Sequence, residues 1–198
     1  MINAINSLMC FPPVSWWMTV VPYEKVYIDA VEPFRKMTFR NRYRIATANG
    51  PLQLSVPVAG GREQRKPLNT LRIDYKTDWQ KQHWRSIFSA YGRAPFFEHY
   101  GPELEKMFLQ QQEYLADFNL AALQWAAKSL RMPSVFTTTA TEALTDAVLD
   151  LRSQTPIAAM NTPVYPQVFE DRYGFLPDLS ILDLLMNEGP VARTLLAT

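Results

Sequence analysis

Apolar residues recur along this chain in two periods, and the switches between them mark out its elements. Leu8 to Phe11 is a short apolar run, Ser15 to Val21 can form one or two helical turns after Pro12-Pro13, and Val26-Tyr27-Ile28 is β-branched and aromatic. The opening therefore predicts a βαβ unit. Next, Met37, Phe39, Tyr43 and Ile45 interleave with Lys36, Thr38, Arg40, Arg42 and Arg44, the period of a strand with one greasy and one basic face. Asn49-Gly50 is a turn signal, and Leu52, Leu54, Val56 and Val58 alternate again, so the two strands should pair as an antiparallel hairpin. Gly60 to Pro67 reads as a polar, basic loop.

Beyond the loop, Leu71 to Tyr75 reads as a strand and Asp78 as the cap of a helix from Trp79 to Tyr91. Trp84, Ile87, Phe88 and Tyr91 follow i, i+3, i+4, i+7 and should form its buried face. Gly92 to Tyr100 reads as a loop, and apolar positions from Pro102 to Leu130 predict one long helix, bent near Asn119. Val135-Phe136 is a strand candidate, Thr139 with Glu142 makes a capping-box pattern before a helix over Ala143 to Leu151, and Leu179 to Asn187 predicts a last helix closed by Gly189-Pro190. The sum is an α/β fold, a single domain over 1–198, with a mixed sheet built from an N-terminal βαβ unit and an antiparallel hairpin and packed by helices.

Composition narrows the function classes. With 198 residues, 47% hydrophobic and 20% charged, the chain can bury a sizeable core unaided. A formal net charge of +1, and no basic region interleaved with exposed aromatics over a longer span, argue against nucleic acid as a partner. Cys10 is the single cysteine, so no disulfide framework is possible, and its apolar neighbours point to packing rather than nucleophilic chemistry. The N-terminal apolar stretch lacks a basic leader and is interrupted by Pro12-Pro13, and no uninterrupted apolar run reaches about 20 residues, so neither a signal peptide nor a membrane span is expected. The cytoplasm is the expected location. Oligomeric state and cofactor leave no trace in the sequence.

Candidate chemistry is concentrated in three places. Arg35, Lys36, Arg40, Arg42 and Arg44 fall within ten residues, a surface suited to a small-molecule anion such as phosphate or carboxylate. The same spacing also describes a solvated strand face that resists edge pairing. On the last helix, Ser180, Asp183 and Asn187 make a polar stripe among leucines, which either faces a groove or is buried with a partner, the basic strand being an available one. His83 and His99 are the only histidines, which excludes a histidine-rich metal site. His83, at the edge of a buried helical face, reads either as a base near neutral pH or as a structural histidine satisfied by a carbonyl. No Walker loop, GxGxxG, GxSxG or HExxH motif occurs.

Phe11-Pro12-Pro13-Val14-Ser15-Trp16-Trp17 followed by Glu32 to Arg42 resembles the opening of the WbqC-like family. Leu54 to Val58, Trp79 to Phe97 with Tyr91-Gly92-Arg93-Ala94-Pro95-Phe96-Phe97, and Tyr165-Pro166-Gln167-Val168-Phe169 running into Leu179 to Gly189 extend the likeness over nearly the whole chain. Two departures stand out: the segment after Asp146 lacks a serine-glycine element common in the family, and Met186 stands where phenylalanine is usual. The resemblance implies a role in bacterial O-antigen or other lipopolysaccharide-type surface-polysaccharide biosynthesis, with an acyl or aminoacyl (glycyl) group transferred onto an amino sugar. In such a transferase Lys36, Arg40 and Arg42 would hold the anionic group with Ser180 and Asn187, Asn41 would orient the substrate, and His83 or Asp183 would be the catalytic base. The alternative is a non-catalytic binding module for a nucleotide-linked or phosphorylated ligand. A looser likeness of the opening to the nucleotidylyltransferase fold keeps nucleotide transfer as a further alternative, although that fold's HxGH phosphate motif is missing here. Either function requires the basic strand and the last helix to converge on one cleft.

Overall fold

Four parallel strands form the larger of two sheets in the computed structural model, which describes residues 3–35, 38–60, 66–132, 135–139, 148–152 and 162–197. They are β1 (Asn3–Ser7), β2 (Lys25–Asp29), β5 (Val135–Thr139) and β6 (Val148–Asp150), arranged in the order β5-β2-β1-β6. The predicted βαβ unit is present: β1, α1 (Val14–Val20) and β2 follow one another, and β1 pairs parallel with β2 from Asn3↔Lys25 to Ser7↔Asp29. The first strand, however, is Asn3–Ser7 and not the apolar run Leu8 to Phe11, which forms a fully buried connection except for half-buried Met9. Phe11 sits there at φ 40°, a conformation bulky residues avoid, and its ring packs against Tyr43, Phe108, Phe118 and Trp125.

β3 (Arg42–Thr47) and β4 (Gly50–Ser55) make the second sheet, an antiparallel hairpin turned at Ala48-Asn49. Gly50 takes φ +93°, which explains the residue type at this tight turn. The predicted basic strand is shorter than its pattern. Only Arg42 onward is strand; Thr38 to Asn41 turn back, and Lys36 and Met37 lie outside the described residues. Within the strand the alternation holds, with Tyr43 and Ile45 buried and Arg42 and Arg44 half-exposed, while Phe39, in the turn, is only half-buried.

Helices account for most of the remainder. α2 (Trp79–Tyr91) has the predicted span, yet its buried face is Trp79, His83, Ile87, Ala90 and Tyr91; Trp84 is half-buried and Phe88 is 56% exposed. Both faces are aromatic, so spacing alone could not choose, and the Phe11–Trp79–Phe108–Phe118 cluster takes the one beginning at Trp79. The predicted long helix is two, α3 (Phe97–Leu109) and α4 (Leu115–Ser129). Their break lies at Gln110 to Tyr114, not near Asn119, and α3 begins within the stretch expected to be loop. Leu71 to Tyr75 is extended but makes only isolated bridges, Val58↔Ile73 and Arg72↔Tyr114. Where a helix was expected to end, Val148 to Asp150 instead form edge strand β6; positions 140–147 of that expectation lie outside the described residues. Two short helices, α5 (Glu170–Tyr173) and α7 (Ala192–Leu196), flank α6 (Ile181–Glu188), which is buried from Ile181 to Asn187 as its leucines predict.

These burial differences give a stability test. Trp79→Ala should cost about 3–5 kcal/mol, as aromatic truncations in cores do, whereas Phe88→Ala should cost less than about 1 kcal/mol. Urea denaturation of the two variants measures both.

Candidate functional site

Apart from His83, and Lys36 outside the described residues, the candidate site residues divide between two places joined by β3. The first is the carboxyl edge of the parallel sheet. β1 lies between β2 and β6, and the chain leaves β1 toward one neighbour and reaches the other only at the end, so the strand order reverses direction beside β1. In open parallel sheets, ligands bind at such a point, outside the carboxyl ends of the strands. Asp29 ends β2, and its Oδ1 accepts the Val31 and Glu32 N–H groups in a tight turn. Its Oδ2 accepts from Arg152 Nη1 at 2.6 Å, while Arg152 Nε and Nη2 hold the Asp150 carboxylate at the end of β6. That bidentate pair keeps the Asp150 carboxyl below its ordinary range.

The Thr38–Asn41 turn is docked on this edge. The Cys10 N–H donates to the Phe39 carbonyl, Asn119 Nδ2 to the Arg40 carbonyl, and Asn41 and Val56 bond reciprocally, Val56 N–H to the Asn41 carbonyl and Asn41 Nδ2 to the Val56 carbonyl. Arg40 is committed to Glu32 at 2.6 Å, both side chains being largely buried. Arg44 donates through Nη2 to the Asp178 carbonyl. Arg42 differs from both neighbours in that its guanidinium has no hydrogen-bond partner among the described residues; the Nε atoms of all three arginines are enclosed and unpartnered there. The Oδ1 atoms of Asn41 and Asn119 are likewise enclosed and unpartnered among the described residues. The described residues thus leave one charged donor and two enclosed amide acceptors without hydrogen-bond partners. Of these the half-exposed Arg42 guanidinium is the group that suits an external anion.

The second place is the interior behind the hairpin. Asp183 is fully buried on α6, and its carboxylate accepts three bonds: Tyr91 Oη to Oδ1 at 2.8 Å, and Tyr165 Oη and Gln167 Nε2 to Oδ2 at 2.8 and 2.9 Å. Burial raises its pKa and the three donors act against that rise; the same enclosure pushes both tyrosine hydroxyls well above their ordinary range. The Ala46 N–H donates to Tyr91 Oη and the Ser180 N–H to the Arg44 carbonyl, so β3 and α6 do meet, through backbone and tyrosine. The expected partnership of Asp183 with the arginines does not form. Tyr91, Tyr165 and Gln167, which spacing did not single out as site residues, take that role, and the signal for them was their place in the resemblance segments. Ser180 caps α6, its Oγ accepting the Leu182 N–H, and Asn187 Nδ2 donates to the Asp183 carbonyl. Both stabilise the helix itself.

His83 lies apart from both. Its Nδ1 is 2.9 Å from Tyr43 Oη, and Trp79, Tyr43 and Phe108 surround the ring. Burial lowers its pKa to about 4, against a smaller opposing contribution from a hydrogen bond to the Ser55 backbone. The imidazole is therefore neutral at neutral pH, and as a base it is weak and enclosed. Cys10 is fully buried and burial drives its thiol pKa up, in keeping with packing. Among the described residues no cluster of His, Cys, Asp and Glu is arranged to hold a metal ion, and no helix is long and apolar enough to cross a membrane.

The profile described as "WbqC-like protein family" matches residues 11–155, a span that includes the carboxyl-edge loop, the hairpin and α2 to α4. The chain is also 30% identical over 190 residues to a Mycobacterium tuberculosis protein whose printed name is "Uncharacterized protein Rv1507c", covering 80% of this chain and 81% of that protein. No solved structure matches significantly.

His83 supplies a pH test with a definite sign. Because its folded pKa is depressed from 6.5 to about 4, the stability it contributes is complete above pH 6.5 and is lost as the pH falls through that window, by about 3 kcal/mol in all. His83→Gln should remove that part of the acid dependence, which denaturant titrations of both proteins between these pH values will show. Asp183→Ala should cost at least about 3 kcal/mol, since it leaves three buried donors without an acceptor, and the same titrations measure it at neutral pH.

Proposed function

The chain belongs to the WbqC-like protein family, and from that premise we propose that it binds a small anion bearing an amino or hydroxyl donor at Arg42, as a transferase of bacterial surface-polysaccharide biosynthesis. The observation that carries this reading is the half-exposed Arg42 guanidinium, which has no hydrogen-bond partner among the described residues. An amino-sugar phosphate or an amino acid supplies the anion it lacks, through its phosphate or carboxylate. These are the classes of acceptor and donor that transfer of an acyl or glycyl group onto an amino sugar would use. Lys36, from the same basic segment, is assigned to the anion as well. In this reading neither His83 nor Asp183 is the base, the first because its enclosed ring is only weakly basic and the second because three buried donors occupy its carboxylate. In this reading catalysis rests on orientation and charge stabilisation by Arg42 and Asn41.

A second reading is a binding module for a nucleotide-linked or phosphorylated ligand, acting without chemistry of its own. The strand order favours it, since the reversal beside β1 is where doubly wound folds hold phosphorylated ligands. The first experiment separates either reading from none. N-acetylglucosamine 1-phosphate should raise the melting temperature of the wild-type protein, Arg42→Ala should weaken its binding at least tenfold in calorimetry, and the exposed Lys128→Ala should leave it unchanged. Equal binding by the wild type and Arg42→Ala would reject the site. Incubation of amino-sugar phosphate with glycyl and acetyl donors, followed by mass spectrometry of the sugar, then tells the transferase from the binding module.

A further inference from the structure

On the outer face of α2, away from the interior that Tyr91 occupies, lies an open groove of about 650 Å³. Phe88, Ser89, Gly92 and Arg93 form one side, and Val168 and Phe169 the other. The volume is within the ordinary range of small-molecule sites. Both sides come from segments quoted above for the family resemblance, and no role proposed so far uses them.

Three features give the groove a definite chemistry. Its aromatic wall is fixed in place: Phe88 is 56% exposed, yet it is held edge-on by Phe97 at 5.5 Å and flanked by Trp84 at 6.3 Å, while Trp84 stacks on Phe97 at 6.0 Å. A side chain this apolar, held rigid and left in water, is a ready surface for a flat ring. Its charge has one sign. Arg93 is exposed and has no partner among the described residues, and no acidic residue lines the groove. A second hollow, of about 380 Å³, shares Ser89 and Ala90 with it and places the exposed Arg85 along the same helix. The opposite wall is anchored from beneath, because Gln167, next to Val168, donates to the buried Asp183 carboxylate.

We propose that this groove is a nucleotide site, in which a heteroaromatic base lies against Phe88 and Phe169 and the phosphates reach Arg93 and Arg85. Inorganic phosphate would use the cations and leave the aromatic walls wet; a nucleoside would use the walls and leave the cations idle. A nucleotide uses both. A medium-chain carboxylate also pairs an apolar body with an anion, but a flexible chain gains nothing from stacking on an aromatic face, so the rings favour the planar base. The site is separate from Arg42 and does not depend on the transferase reading.

Calorimetry with ADP, adenosine, inorganic phosphate and octanoate tests it on the full chain. ADP should bind with at least tenfold higher affinity than any of the other three. Arg93→Glu should weaken ADP at least tenfold and Phe88→Ala severalfold, with melting temperatures close to wild type because both side chains are exposed. Arg42→Ala should leave ADP binding within twofold. The proposal is overturned if ADP fails to bind at millimolar concentration, if octanoate binds as tightly as ADP, or if Arg42→Ala abolishes ADP binding while Arg93→Glu does not. That last outcome would support the anion site at Arg42, so the two proposals fail separately.

Discussion

Burial of the Asp183 carboxyl group is the constraint around which the C-terminal half is arranged. An ionised carboxylate taken out of water is costly unless donors replace its hydration. Here three side chains do so, Tyr91 from α2 and Tyr165 and Gln167 from the segment before α5. Each donor brings its backbone with it. Tyr91 also accepts the Ala46 N–H, tying the hairpin to the helix, and Gln167 bonds the Leu176 carbonyl and N–H, closing the loop around α5. A helix of eight residues would be marginal alone; packed leucines and this one carboxylate make it the point where hairpin, α2 and C-terminal segment meet.

The same anchoring fixes the carboxyl edge of the parallel sheet. The Ser180 N–H holds the Arg44 carbonyl, the Ile181 N–H holds the Pro12 carbonyl and the Val14 N–H holds the Leu179 carbonyl, so α6 braces both β3 and the loop leaving β1. That loop carries the left-handed Phe11, whose backbone strain is offset by an aromatic cluster packed on its ring. Position of the Thr38–Asn41 turn follows, because it hangs from Cys10, Asn119 and Val56. Arg42 is thus presented by a chain of hydrogen bonds that begins deep in the interior.

Legibility in the sequence followed how many physical demands acted on each segment. α2 and α6 were readable because apolar spacing or density, a polar residue at the N-cap position and a terminating glycine agreed; the βαβ opening was readable because prolines and β-branched residues agreed. Where one signal stood alone it misled. The alternation from Met37 to Ile45 matched a strand, but Arg40 pairs with Glu32 and Asn41 with Val56, contacts that need a turn over the sheet edge and that no local pattern encodes. The rotation of α2 was ambiguous because aromatic residues lie on both faces, and the choice was made by α3 and α4 across the core. Asp183 was visible as a polar position among leucines. Its partners were not, since Tyr91 lies 92 residues away and its pairing is decided by tertiary packing alone.

Three arginines at alternate positions show how one pattern divides into structure and function. Arg40, Arg42 and Arg44 have the same chemistry and near-identical local sequence context, so any difference between them arises from what the fold sets opposite each. Glu32 lies opposite Arg40, and the pair, largely buried, closes the turn. The Asp178 carbonyl lies opposite Arg44, which joins the hairpin to the segment leading into α6. No hydrogen-bond partner for Arg42 lies among the described residues. The Nε atoms of all three arginines are enclosed and unbonded there, so the difference lies in the outer nitrogens, where Arg40 and Arg44 have acceptors and Arg42 has none among the described residues. An incompletely bonded, half-buried charge costs stability. In the proposed reading an external anion offsets that cost, and this is what would single out Arg42 from an otherwise uniform basic stretch.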